Sequence, residues 1–215
     1  MNTNTDNSLD EAIHIRYATL ADSCCSLSCG SALDQADVQR GEVVVDLGSG
    51  RGNDVFKAAR KSGPYGFSYG VDYTQEMIDI AEANRKKLRL DNVRFLNASI
   101  DKIPLEDKSA NVLISNCTIN HAPDKKAVYS EIYRILKKGG RFIVSDVISE
   151  TDLPQNVKDD PQAWAGCYGG AIPRDEYLKS VHDGGFDSVE ILDLSSPYEK
   201  GGVMVRSITI KGIKN

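Results

Sequence analysis

No apolar stretch in this chain approaches the ~18 consecutive residues that a bilayer-crossing helix needs, so no membrane association is expected. The first ten residues, Met1 to Asp10, are polar and carry no apolar signal-peptide core. They read as a frayed tail, and a cytoplasmic location is the expectation. Basic charge is not in excess. The 26 Lys and Arg against 31 Asp and Glu give a formal net charge of −5, which argues against nucleic acid as the main partner. No internal repeat, low-complexity tract or linker divides the 215 residues. We expect an N-terminal extension over residues 1–40, with a cysteine-rich segment, and one domain over residues 41–215. Disulfides are not needed in a chain of this length, and the five cysteines are an odd number. Reduced thiols with a task are therefore expected.

The richest segment runs from Glu42 to Gly52. An apolar β-branched run, Val43-Val44-Val45, meets Asp46 and then glycines at 48, 50 and 52. A second such run, Phe67 to Val71, ends in Asp72. Strand, glycine turn, helix, strand and carboxylate is how an open parallel sheet holds an adenosine-containing cofactor. The third glycine comes one residue too early for the nicotinamide fingerprint, whose sixth position is Asn53 here, and no Lys-Ser/Thr of a phosphate-binding P-loop follows. Asp72 is placed to accept ribose hydroxyls, and Asp46 to face a cationic amino-acid group. A cofactor with an amine, a ribose and no phosphate suits two carboxylates without a basic clamp, and S-adenosylmethionine has those parts. A turn that merely needs glycine, beside solvated acids, is the plainer explanation, but the register of all these parts favours the cofactor.

Strands are expected at Val43–Asp46, Ser68–Asp72, Val93–Asn97, Asn111–Ser115 and Arg141–Ser145. Helices are expected at residues 11–21, 53–62, 75–88, 124–136 and 175–183, with Thr74 as an N-cap. Lys137-Lys138-Gly139-Gly140 reads as the close of the fourth. Val189–Leu194 and Val203–Ile210 read as a final antiparallel pair. This alternation predicts an α/β, Rossmann-like, mainly parallel seven-stranded sheet with an antiparallel final strand.

Cys24, Cys25 and Cys29 precede the first strand, Cys117 directly follows the fourth, and Cys167 lies beyond the fifth. Ligands in open α/β sheets bind outside the carboxyl ends of strands. Cys117 is at such an end, and the chain before Cys167 has the length to fold back over it. Taken singly, a cysteine after a strand is more often a small buried hydrophobe than a ligand. Cys25 and Cys29 have i, i+4 spacing, but only His14 is near enough to add to a zinc set, which needs four ligands.

Several segments together resemble the arsenite S-adenosylmethionine methyltransferases, a family of class I methyltransferases. They are Asp46-Leu47-Gly48-Ser49-Gly50, Ser115-Asn116-Cys117-Thr118-Ile119-Asn120, Leu136-Lys137-Lys138-Gly139-Gly140-Arg141 and Gly166-Cys167-Tyr168-Gly169-Gly170-Ala171-Ile172. Ser145-Asp146-Val147, Leu153-Pro154 and Asp160-Pro161 add to the match, which covers roughly residues 12 to 190. The resemblance implies arsenite methylation, with arsenic(III) held by thiolates of Cys29, Cys117 and Cys167 and with thiol exchange at Cys24 and Cys25. It implies S-adenosyl-L-methionine against Gly48, Ser49, Gly50 and Gly52, with Asp46, Asp72, Tyr73 and Met77 around it. Ser99 and Ile100 then flank the adenine, and Asn116 lines the transfer site. The implied substrate is arsenite as a thiol adduct, with a thiol reductant such as glutathione or thioredoxin. Two other readings compete. One is a methyltransferase for a small organic acceptor such as a quinone, with His121 as a candidate base. The other is a non-catalytic metalloid-binding protein.

Overall fold

The computed structural model describes residues 11–19 and 32–215. The expected tail over Met1 to Asp10 and the segment with Cys24, Cys25 and Cys29 lie outside them. Residues 11–19 are helical (α1). Ala32–Gln35 (α2) follows, then β1 (Val43–Leu47), α3 (Asn53–Ser62), β2 (Phe67–Asp72), α4 (Gln75–Leu88), β3 (Val93–Asn97) and β4 (Ala110–Asn116). A 3-10 turn, Ile119–His121, leads to α5 (Lys125–Ile135) and β5 (Leu136–Ser149). The rest comprises α6 (Gln155–Lys158), α7 (Pro161–Ala165), α8 (Arg174–Asp183), β6 (Val189–Leu194), β7 (Tyr198–Lys200) and β8 (Val203–Ile213).

The strands form one sheet in the order β3-β2-β1-β4-β5-β8-β6. β1 to β5 pair in parallel, and β8 runs antiparallel to both β5 and β6. Short β7 adds to β8 through a Gly201-Gly202 turn and makes the sheet eight-stranded. The expected topology is thus present, with one hairpin strand more than the sequence suggested.

The central strands are apolar because helices cover both faces. Val44, Val45 and Leu47 of β1 and Val112, Leu113 and Ile114 of β4 are all buried. α3 covers one face with Val55, Ala58 and Ala59, and α5 the other with Val128, Tyr129, Ile132 and Ile135. Tyr129, Phe142, Phe186 and Tyr133 pack edge-to-face or tilted beneath α5 and α8, a favoured geometry for aromatic quadrupoles.

Two local expectations need correction. β5 runs well beyond Arg141–Ser145 at both ends: β8 pairs with it as far as Ser149 opposite Val205, and at the other end Leu136 pairs with Ala110 of β4 while Gly139 and Gly140 exchange backbone hydrogen bonds with Lys214. Lys137 to Gly140 accordingly belong to this strand and not to a helix cap. Thr74 does stand at the N-cap of α4, but its side chain makes no cap hydrogen bond.

The strand order reverses at β1, so β2 leaves one side and β4 the other. That divergence opens a crevice at the carboxyl ends of the strands. The segment between β5 and α8, carrying α6 and α7, folds back over it, and a bridge between Ser149 and Pro173 anchors its return.

Candidate functional site

At the end of β1 the chain turns through Gly48, Gly50 and Gly52, with φ of 68°, 51° and 85°. Left-handed backbone of this kind favours glycine. The N–H groups of Gly48 and Ser49 both donate to the Val71 carbonyl, at 2.8 and 3.1 Å, which ties the turn to β2. The glycines differ in what they face. A Cβ on Gly50 would meet nothing closer than Met77 Sδ at 4.0 Å, so its bare backbone opens on the crevice. A Cβ on Gly48 would collide with the Thr118 side chain, and one on Gly52 with the rings of Phe95 and Phe56. Gly52 therefore serves packing of α3 against β3 and does not line the crevice.

Asp72 is held at the end of β2. Its Oδ2 accepts from Gly50 N–H at 2.8 Å and its Oδ1 from Thr74 N–H at 2.9 Å. The Thr74 hydroxyl bonds the same carboxylate, which leaves one of its about four lone-pair sites for a further donor such as a hydroxyl. Burial raises its pKa, and the two N–H donors and the Thr74 hydroxyl pull it back. Asp46 is only 4% exposed. Burial first, then the charges of Asp54 and Asp72, push its carboxyl well above the usual range. A carboxylate so placed is relieved by a cation.

Asn116 at the end of β4 is oriented at both ends of its amide. Its Nδ2 donates to Asp54 at 3.3 Å, and its Oδ1 accepts from Ala32 N–H at 3.3 Å. Cys117 follows at φ 56°, and its N–H donates to Ser145 O at 2.8 Å. Cys167 follows α7 at φ 66°, its N–H donating to Trp164 O at 2.8 Å. Left-handed backbone at a residue with a Cβ costs about 1–2 kcal/mol and tends to concentrate at functional sites. Both thiols are buried, neither is in a disulfide, and both belong to one apolar cluster with Val147, Leu153, Ala171 and Val205.

Cys167 Sγ lies 3.3 Å from His121 Nε2 and 3.4 Å from Tyr17 Oη. Burial, with the charges of Lys125, Arg16 and Lys200, lowers the His121 pKa to about 4, so the ring is neutral at pH 7. Burial and the neighbouring Cys167 push the Tyr17 phenol up.

These groups share one cavity of about 390 Å³. Asp46, Gly48, Ser49, Gly50, Asp72, Tyr73, Met77, Ser99, Ile100, Asn116, Cys117 and Cys167 all line it. Of the expected site residues that the structure describes, only Gly52 does not. Ile13 and Tyr17 of α1, with Asp54 and Thr118, also form its wall. Their i, i+4 spacing puts Ile13 and Tyr17 on one helix face, but nothing local says what that face covers. Among the described residues no three His, Cys, Asp or Glu cluster as a metal site, and His14 pairs with Glu76 at 3.3 Å.

The cavity fits S-adenosylmethionine by the chemistry of its walls. A bare glycine backbone gives close approach, Asp72 has acceptor capacity left for a ribose, and Asp46 offers its carboxyl to an ammonium beside Asp54, whose own charge Lys57 pairs at 2.9 Å.

A model of a methyltransferase domain family matches residues 39–185. An arsenite methyltransferase of Halobacterium salinarum is 42% identical over 175 residues, which is 81% of this chain and 45% of that protein. An arsenite methyltransferase of Mus musculus is 36% identical over 138 residues, 60% of this chain and 37% of that one. The chain thus spans less than half the length of these two relatives. The crystal structure of an arsenic(III) S-adenosylmethionine methyltransferase from Chlamydomonas reinhardtii is also similar. It superposes with a TM-score of 0.78 at 30% identity, covering 94% of this chain and 73% of that one.

Proposed function

Because the chain belongs to the methyltransferase-domain family, and within it to the arsenite S-adenosylmethionine methyltransferases, we propose that it methylates trivalent arsenic held by cysteine thiolates. The observation that carries this reading is the pairing of Cys117 and Cys167. They lie fifty residues apart in sequence, are both held in left-handed backbone, and line the same cavity as the glycine turn and Asp72.

When bound, S-adenosylmethionine supplies an electrophilic methyl group on a sulfonium. Asp72 holds the ribose, Asp46 beside Asp54 receives the ammonium, and the Gly50 backbone lets the cofactor lie close. Ser99 and Ile100 flank the adenine, beside Tyr73 and Met77. Asn116, fixed between Asp54 and Ala32, borders the transfer site. Tyr17 closes the cavity over Cys167 and limits water.

Thiolate-bound arsenic(III) is pyramidal and keeps a lone pair, which is the nucleophile. No general base is required, so the protein's main work is positioning. Cys117 and Cys167 are two of the ligands, and Cys29 of the 1–40 extension is the third. Arsenic arrives as a thiol adduct, and each As–S bond formed to the protein releases one carrier thiol, which takes up the cysteine proton. Transfer leaves pentavalent arsenic. Its return to the trivalent state takes two electrons, supplied by a dithiol that becomes a disulfide, from Cys24 and Cys25 or from a glutathione- or thioredoxin-type reductant. No helix among the described residues is long and apolar enough to cross a membrane, and we place the reaction in the cytoplasm.

Cys117→Ser or Cys167→Ser should abolish arsenite methylation and leave S-adenosylmethionine affinity unchanged, read by arsenic speciation and calorimetry. Full activity in both variants would refute the thiolate cage. The organic-acceptor reading needs His121 as a base, and a ring held near pKa 4 is a poor one at neutral pH.

A further inference from the structure

Lys125 is 5% exposed and Asn120 fully buried. Lysine is almost never found buried unless something pairs it. Lys125 Nζ donates to the Gly170 carbonyl at 2.6 Å and to Ala122 O at 3.4 Å, and the Asp146 carboxylate is its nearby counter-charge. Asn120 Nδ2 donates to Val147 O at 2.6 Å and to the carbonyl of Cys167 itself at 3.2 Å. Asp146, at the same end of β5, accepts from Val147 N–H at 2.9 Å and Tyr177 Oη at 3.1 Å.

Both donors stand on the segment that begins with Cys117, and both grip the segment that begins with Cys167. A Cβ on Gly170 would collide with the Asn120 carbonyl, so the two segments touch closely there. The reach between the thiols is therefore not left to a surface loop. We propose that Asn120 and Lys125 are positioning residues that fix the Cys117–Cys167 bite for a two-thiol metalloid grip; this rests on the function proposed above. The clamp holds the carbonyl of Cys167 and, three residues on, that of Gly170. The left-handed turn at Cys167 cannot relax without breaking one of these bonds. Neither residue touches the cofactor end of the cavity, so the clamp governs acceptor capture alone.

Phenylarsine oxide tests this directly, because it needs two thiols: two As–S bonds form, two S–H bonds break, and its oxygen leaves as water. A Cys24→Ser, Cys25→Ser, Cys29→Ser background isolates the Cys117–Cys167 pair. Trp164, the chain's one tryptophan, lies against Gly170, where a Cβ would meet its ring at 2.8 Å, and reports capture by fluorescence. Affinity is measured against a competing dithiol.

In that background, Lys125→Met and the near-isosteric Asn120→Leu should each weaken capture roughly 10- to 100-fold, the scale of losing a buried or charge-assisted hydrogen bond. S-adenosylmethionine affinity should stay at the background value. Lys125→Arg, which keeps a cationic donor, should recover most of the loss. If Lys125→Met also loses the cofactor, Asn120→Leu decides in the same assay. Capture as tight as the background in a variant that binds cofactor normally would overturn the clamp and leave the arsenic reading standing. Loss of both ligands in both variants would overturn it as well, since that is a general folding role. Failure of the background itself to capture the probe would overturn the thiolate pair, and the clamp with it.

Discussion

His121 gives the sharpest test of the electrostatics around the thiols. Its ring sits 3.3 Å from Cys167 Sγ and edge-on to Tyr17, with centroids 5.5 Å apart. The charged groups that act on it, Lys125, Arg16 and Lys200, are all cationic. Burial and these charges lower its pKa from 6.5 to about 4. Between those values the unfolded chain binds a proton that the native state refuses, so stability must fall as pH drops from 6.5 towards 4. The gap, at about 1.4 kcal/mol per pH unit, is worth up to about 3 kcal/mol. Asp146 works in the opposite sense over an overlapping window, because burial raises its carboxyl to about 6 and its ionisation weakens the fold as pH rises. Asp46 and Asp72, also raised by burial, act in the same sense as Asp146, so the raw stability curve blends several groups, and the difference between parent and His121→Leu isolates the imidazole. Urea denaturation from pH 7.5 to 4 should show the parent losing up to about 3 kcal/mol relative to the variant. Parallel curves would show that the ring is not shielded, and would remove the reason for treating it as neutral beside Cys167.

Asp46→Asn should raise the thermal midpoint of the ligand-free protein, because ionisation of the buried Asp46 destabilises the fold as pH rises through its elevated pKa. The same change should cost roughly 10- to 100-fold in S-adenosylmethionine affinity, the worth of one buried charge-assisted bond, by calorimetric titration. Two glycine substitutions should separate cofactor approach from packing. Gly50→Ala should cost about 1–2 kcal/mol of stability for its left-handed φ and lower cofactor affinity further, since its Cβ enters the open cavity. Gly52→Ala carries the same backbone strain and should lose about 1–3 kcal/mol more through overpacking against Phe95 and Phe56, with less effect on the cofactor. Equal effects of the two on both quantities would contradict the assigned faces.

Much of the fold was legible from residues alone. Parallel strands buried on both faces must be short apolar runs, and β1 and β4 are such runs at the centre of the sheet, while edge strand β3 alternates buried Val93 and Phe95 with exposed Arg94. The glycine turn and Asp72 were legible for a related reason, since a left-handed turn and a strand-end carboxylate are local features. Longer-range matters were not. The length of β5 was set by distant partners, β8 at one end and Ala110 and Lys214 at the other, and the short β7 exists only as an addition to β8. Gly52 looked like part of the cofactor cradle until its missing Cβ was seen to face Phe95.

The cysteines mark the same boundary. Their residue numbers, and the resemblance they carry, were in the chain from the start, but single thiols after strands do not say whether they meet. The tertiary structure decided that Cys117 and Cys167 share a wall, that Tyr17 comes from an earlier helix to touch one of them, and that buried Asn120 and Lys125 grip the segment that begins at Cys167. Local propensity fixes where a strand or a turn lies. The direction of a side chain at a left-handed residue, and which distant carbonyl a buried ammonium finds, depend on how whole layers pack, and no short window of sequence contains that information.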